Sequence, residues 1–137
     1  MNKRVLLLIG GLLVLAAAFY AYREWNRDLV KADEARAEVS LTAEELFKAF
    51  TADEMGANAR FNDKLVEVSG TVREVSGGGA APVNVLLESG DPLGAVVCEF
   101  EAGAAPAVKK DEKVTIKGFC AGYNLDVLLQ RCAVVER

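Results

Sequence analysis

Cys98, Cys120 and Cys132 are the only thiols in the chain, and no histidine is present to partner them. Without an imidazole, Ser-His-Asp and Cys-His catalysis, histidine metal sites and histidine-attached haem are all excluded together. The cysteines lack C-x-x-C spacing, so neither a zinc site nor a dithiol redox motif is indicated, and they read as small buried hydrophobes. Gly77-Gly78-Gly79 is followed by neither Lys-Ser/Thr nor a helix, which makes it a flexible turn and not a phosphate cradle. Carboxylates occupy outward strand positions and turns, where water solvates them. These residues supply no catalytic set, and the expectation is a protein that is not an enzyme and needs no cofactor or metal.

Charge narrows the partners. The 137 residues carry 16 Lys+Arg and 20 Asp+Glu, a net −4. Residues 38–137 hold 10 basic and 16 acidic side chains, a net −6. Nucleic-acid affinity comes largely from neutralising phosphates, so a domain this acidic is a poor polyanion binder. Lys109, Lys110, Lys113 and Lys117 lie close together, but Asp111 and Glu112 interrupt them, as on a solvated turn and strand edge.

The amino terminus has a separate character. After Lys3-Arg4, Val5 to Tyr22 is a run of 18 uncharged, mostly apolar residues. As a helix it spans about 27 Å, just enough for a bilayer core. Tyr20, Tyr22 and Trp25 at its far end suit an interfacial aromatic belt. Ala16-Ala17-Ala18 offers an A-x-A cleavage site, so a removable signal peptide is one reading. The run outlasts an ordinary signal core, and cleavage after Ala18 would strand Phe19 to Tyr22; an uncleaved anchor is the preferred reading. Lys3 and Arg4 place the amino terminus in the cytoplasm, whereas Arg23, Arg27, Lys31 and Arg36 beyond the span pull the other way. The expectation is a domain outside the cytoplasm, on a bacterial inner membrane facing the periplasm. Residues 1–23 are thus the anchor, 24–40 a charged stalk, and 41–137 the domain.

The domain opens with Thr42 and Glu45 as a T-x-x-E capping box, and Leu41 and Leu46 as its hydrophobic staple. Apolar residues then recur at helical spacing, predicting one helix from Ala43 to about Asn58. From Lys64 the period falls to two. Five strands follow, centred on 66–72, 83–87, 96–100, 114–118 and 125–135, separated by Gly- and Asn-containing turns. The third gap, Ala102 to Asp111, is longer and alanine-rich, a short helix or coil. Five short antiparallel strands with a long connection after the third match an OB-fold, a five-stranded Greek-key barrel. An SH3-like barrel is the runner-up, but it would not need the long gap. Gly70 inside the first strand suits a sharp bend.

Leu41 to Val135, 95 of 137 residues, also resembles the tRNA anti-codon-like OB-fold family, many of whose members carry a lipid-modified cysteine. The resemblance rests on 43-AEELFKAF-50, 61-FNDKLVEVSGTV-72, 97-VCEF-100, 113-KVTIKGFCAG-122 and 126-DVLLQRC-132, in that order. It implies the fold and a surface location, and brings no catalytic residue with it. Here a membrane span stands where those relatives have the lipid anchor.

OB barrels bind on the face of strands two and three, flanked by the first and last hairpin loops. That rule selects Arg73, Asn84, Leu86, the Gly77–Pro82 loop, Tyr123 and Asn124, with Tyr123 as the exposed aromatic or, equally, the cap of the barrel end. Two functions remain open. One is a membrane-anchored envelope module binding a protein, peptide or glycan; the other is an assembly subunit docking through its barrel. The third and fifth strands of such a barrel are neighbours, so Cys98 and Cys132 can meet as a disulfide with Cys120 left free. Cys120 and Cys132 share a hairpin, where a turn at 122–124 would leave them about 16 Å apart.

The apolar run makes a direct prediction. The full chain should stay with membranes through a carbonate wash, and a chain lacking residues 1–23 should be released. A freely soluble native protein beginning at Phe19 would instead establish the signal peptide.

Overall fold

The computed structural model describes residues 2–25, 32, 35–104 and 106–135. The chain forms two compact units, Met1–Val30 and Lys31–Arg137. The first contains helix α1, Lys3–Trp25, whose described side chains are all exposed. Its 23 residues are long and apolar enough to cross a membrane, about 34 Å at helical rise.

In the second unit, strands β2 (Leu65–Gly77), β3 (Val83–Glu88), β4 (Ala95–Phe100), β5 (Lys113–Asn124) and β6 (Asp126–Val134) form a closed barrel in the order β2-β3-β4-β6-β5, with β5 returning to β2. All pairings are antiparallel except β4 with β6. This is the expected OB-fold, preceded by its helix. β2 closes the barrel because it serves two partners. Residues 65–71 pair with β5, and residues 72–77 pair with β3. Gly70 sits just before the change of partner, and a Cβ there would lie 3.1 Å from the Ala43 side chain. Close helix approach, together with the bend, accounts for glycine.

A sixth strand, β1 (Val39–Thr42), was not foreseen. It runs parallel to β2 along Val66–Ser69. β3 leaves that edge of β2 unpaired, and the incoming chain fills it. The end of the expected stalk is therefore stitched to the barrel: Glu38 donates its N–H to the Leu65 carbonyl, and Lys117 Nζ donates to the Ala35 carbonyl. Most of the remaining stalk, residues 26–31, 33 and 34, lies outside the described residues.

The capping box forms as the residues require. Glu45 N–H donates to Thr42 Oγ1 at 3.1 Å, and Thr42 N–H donates to Glu45 Oε2 at 2.9 Å. The single helix expected to Asn58 is, however, two: α2, Ala43–Ala52, and α3, Glu54–Phe61. Asp53 breaks the run. Its backbone leaves helical geometry at φ −154°, ψ 89°, while its carboxylate accepts the Gly56 N–H and caps α3. The break turns Phe61 back beneath α2, where its ring centroid lies 6.0 Å from that of Phe50. In the long third gap no helix forms among the described residues.

The last hairpin is also tighter than expected. β5 continues to Asn124, which pairs with Asp126, leaving Leu125 alone in the turn at φ 64°. The turn at Leu125 alone would set Cys120 opposite Gln130, and a bulge at Ala121 moves it one residue back, opposite Leu129.

Phe50 is 1% exposed and packs against Phe61 and Tyr123 inside the barrel end. Phe50→Ala should lower unfolding free energy by about 3–5 kcal/mol, read from denaturant or thermal melts of the full chain. An unchanged melt would detach α2 from the core.

Candidate functional site

The residues selected by the OB rule separate into two places. Asn84 and Leu86 stay on the outward face of β3. Asn84 lies opposite Ser76 and Glu99, and Leu86 opposite Glu74 and Val97, with Leu128 next in the row on β6. This face is half-buried, mixed apolar and polar, and carries the carboxylates of Glu74 and Glu99.

Arg73, Tyr123 and Asn124 are drawn towards the barrel end that α2 covers. Arg73 is the extra residue of a β-bulge, since Val72 pairs with Leu87 and Glu74 with Leu86. A bulge re-aims its side chain, and here the guanidinium is turned onto the β3–β4 loop. Its Nε and Nη2 donate to Glu88 Oε2 at 3.0 and 2.8 Å, Nη1 to the Gly94 carbonyl at 3.0 Å, and Nη2 to the Asp91 carbonyl at 2.9 Å. Arg73 is thus a brace for the loop. Within the loop, buried Ser89 accepts the Asp91 N–H, and the Asp91 carboxylate accepts the Leu93 N–H at 2.7 Å. The Arg73 guanidinium, hydrogen-bonded to Glu88, holds that carboxyl below its ordinary 4.5.

Tyr123 is half-buried, not free at a loop tip. It stacks on Phe50 and meets Phe47 edge-on, each at 6.0 Å between centroids, and so caps the barrel end. Asn124 is exposed beside the turn. The two loops touch: a side chain on Gly94 would run into the Phe47 ring and the Leu125 carbonyl, and Ala95 donates its N–H to Asp126 Oδ1 at 2.8 Å.

Sequence reasoning missed what these braced loops display. Leu93 is 91% exposed and Leu125 is 74% exposed. The local signal was an apolar residue inside a turn, Pro92-Leu93-Gly94. By periodicity Leu125 falls at the start of the last expected strand, 125–135. A leucine at φ 64° is strained where Gly or Asn would be cheaper. The corner can offer apolar contact on a preformed scaffold. Among the described residues no group of three His, Cys, Asp or Glu side chains is placed to hold a metal. The three cysteines are buried free thiols on β4, β5 and β6.

A model of the tRNA_anti-like family matches residues 1–134. No curated protein matches the chain significantly. Among solved structures, the chain is similar to a "putative nucleic acid-binding lipoprotein" from Klebsiella pneumoniae subsp. pneumoniae MGH 78578, with TM-score 0.58 and 19% identity over 71% of this chain and 92% of that one. It is also similar to OBody AM3L09 bound to hen egg-white lysozyme, with TM-score 0.42 and 17% identity over 64% of this chain and 92% of that one.

The brace predicts a local effect. Arg73→Ala should speed amide exchange at Asp91, Leu93 and Ala95 by about tenfold or more, the equivalent of one charged hydrogen bond, with little change at β5. Because the Glu88 carboxyl is depressed in the folded state, its contribution is complete above pH 4.5 and lost as pH falls through the lowered value. Acid should therefore loosen the same amides, and Glu88→Gln should remove the part of that pH dependence that Arg73→Ala also removes.

Proposed function

The chain belongs to the tRNA_anti-like family, and on that premise we propose that it is a membrane-anchored OB-fold binding module that docks a protein partner through the Leu93–Leu125 corner. α1 supplies the anchor, and the barrel lies outside the cytoplasm. The observation that carries the reading is a pair of leucines, 91% and 74% exposed, on two touching loops. Each gains about 1.5–3 kcal/mol when fully buried. Loops already held by Arg73, Ser89 and Asp126 lose little conformational freedom on binding.

The partner's chemistry follows from the surroundings. Glu44, Glu88, Asp91 and Asp126 lie on or beside these two loops. They favour an apolar pocket rimmed by basic groups and oppose a polyanion. Nucleic-acid binding is in the printed description of the Klebsiella protein; the acidity of this domain argues against carrying it over. The outward face with Asn84 and Leu86, which carries Glu74 and Glu99, is the other surface that the barrel offers.

The test places a photo-crosslinking residue at Leu93, Leu125, Leu86 or Met55 of the full chain in native membranes. A discrete protein adduct from Leu93 and Leu125, absent from Met55, is expected. Leu93→Asp with Leu125→Asp should weaken recovery of that partner by about 10- to 100-fold without lowering the melting temperature, and added mixed-sequence RNA should not compete. Adducts only to lipid, or only from Leu86, would overturn docking at this corner. A carboxyl-terminal reporter active only in the cytoplasm would overturn the location.

A further inference from the structure

Two of the three buried thiols are neighbours. Cys98 is on β4 and Cys132 is on β6, strands that pair in parallel with Cys98 opposite Leu129. The bulge-like turn of Arg131, at φ 51°, returns the next side chain, Cys132, to the interior. There both side chains belong to one buried core cluster, and the Cys98 thiol is the neighbour that acts most strongly on Cys132. Room for that sulfur comes from β5: a Cβ on Gly118 would lie 2.5 Å from Cys132 Sγ. Cys120 also belongs to the core, on β5, but burial and not a neighbouring cysteine is what pushes its thiol up.

We infer that Cys98 and Cys132 are a disulfide-forming pair that crosslinks β4 to β6, with Cys120 remaining a thiol. The oxidant is a disulfide, small-molecule or protein-borne. The Cys132 thiolate attacks one sulfur of that disulfide and expels its partner as a thiolate, leaving a mixed disulfide on Cys132. The Cys98 thiolate then attacks the Cys132 sulfur and expels the second thiolate. The two protons lost by the cysteines go to the two expelled thiolates, and the two electrons lost by the protein reduce the added disulfide to two thiols. Cys132 lies on the last strand of the chain and meets the oxidant first, and Cys98 on β4 resolves the intermediate. Contact with Cys98 and burial both push the Cys132 thiol up, so thiolate is scarce in the closed barrel. Bridging therefore takes place as the chain folds, before β6 is sealed between β4 and β5. The chemistry does not depend on the docking partner proposed above.

The test denatures and reduces the full chain, then refolds it in detergent with a mixture of oxidised and reduced glutathione. Thiols are counted after denaturation without reductant, and the bridged peptides are mapped. One reactive thiol at Cys120 and a Cys98–Cys132 peptide are expected, and Cys120→Ser should give the same bridge with no thiol left. Three reactive thiols, or a bridge that includes Cys120, would overturn the assignment. The Cys120→Ser chain keeps the test decisive should Cys98 or Cys132 variants fail to fold.

Discussion

Closure of the barrel hangs on one strand doing two jobs. β2 is 13 residues long, and its two halves hydrogen-bond to different neighbours, β5 and then β3. A strand can change partners only where the ladder is interrupted. Here Gly70 permits close approach by the helix, and the bulge at Arg73 adds the twist that brings β3 alongside. The same change of partners leaves Val66–Ser69 with an open edge, which the chain arriving from the stalk covers as β1. The four-residue β1 becomes the edge in its place, and a very short edge strand offers little for another chain to pair with.

The second dependence is at the barrel end. Phe47, Phe50, Phe61 and Tyr123 form a set of rings that α2 and α3 hold over the opening. Gly94 lets the β3–β4 loop pass against Phe47 and the last turn. Because the rings fill the opening, the loops around it rest on a packed floor. Leu93 and Leu125 are consequently displayed on structure that is already ordered, which separates them from an apolar residue on a loose loop. The bulge that helps close β2 is the one that sends Arg73 to brace this corner, so barrel closure and the presentation of the candidate site share a cause.

The long apolar helix, the capping box and the strand alternation were legible in the residues alone. Each is a short-range property: an uncharged run of 18 residues, Thr42 and Glu45 three positions apart, and apolar residues every second position from Val66 onward. The OB topology followed from the order and spacing of those elements. Tertiary structure decided the rest, because each remaining feature depends on which residues lie opposite one another. Bulges at Arg73 and Ala121 shift the register, and no local pattern announces them. Asp53 is compatible with a helix surface and with a cap; packing Phe61 beneath Phe50 selects the cap. Arg73 read as a free cation on a binding face until its re-aimed side chain met two carbonyls and Glu88. Val39–Thr42 has too few residues to declare itself a strand, and becomes one only because β2 presents an unpaired edge. Periodicity says which side of a strand faces inward; register, bulges and the contacts of buried side chains are set by the closed barrel as a whole.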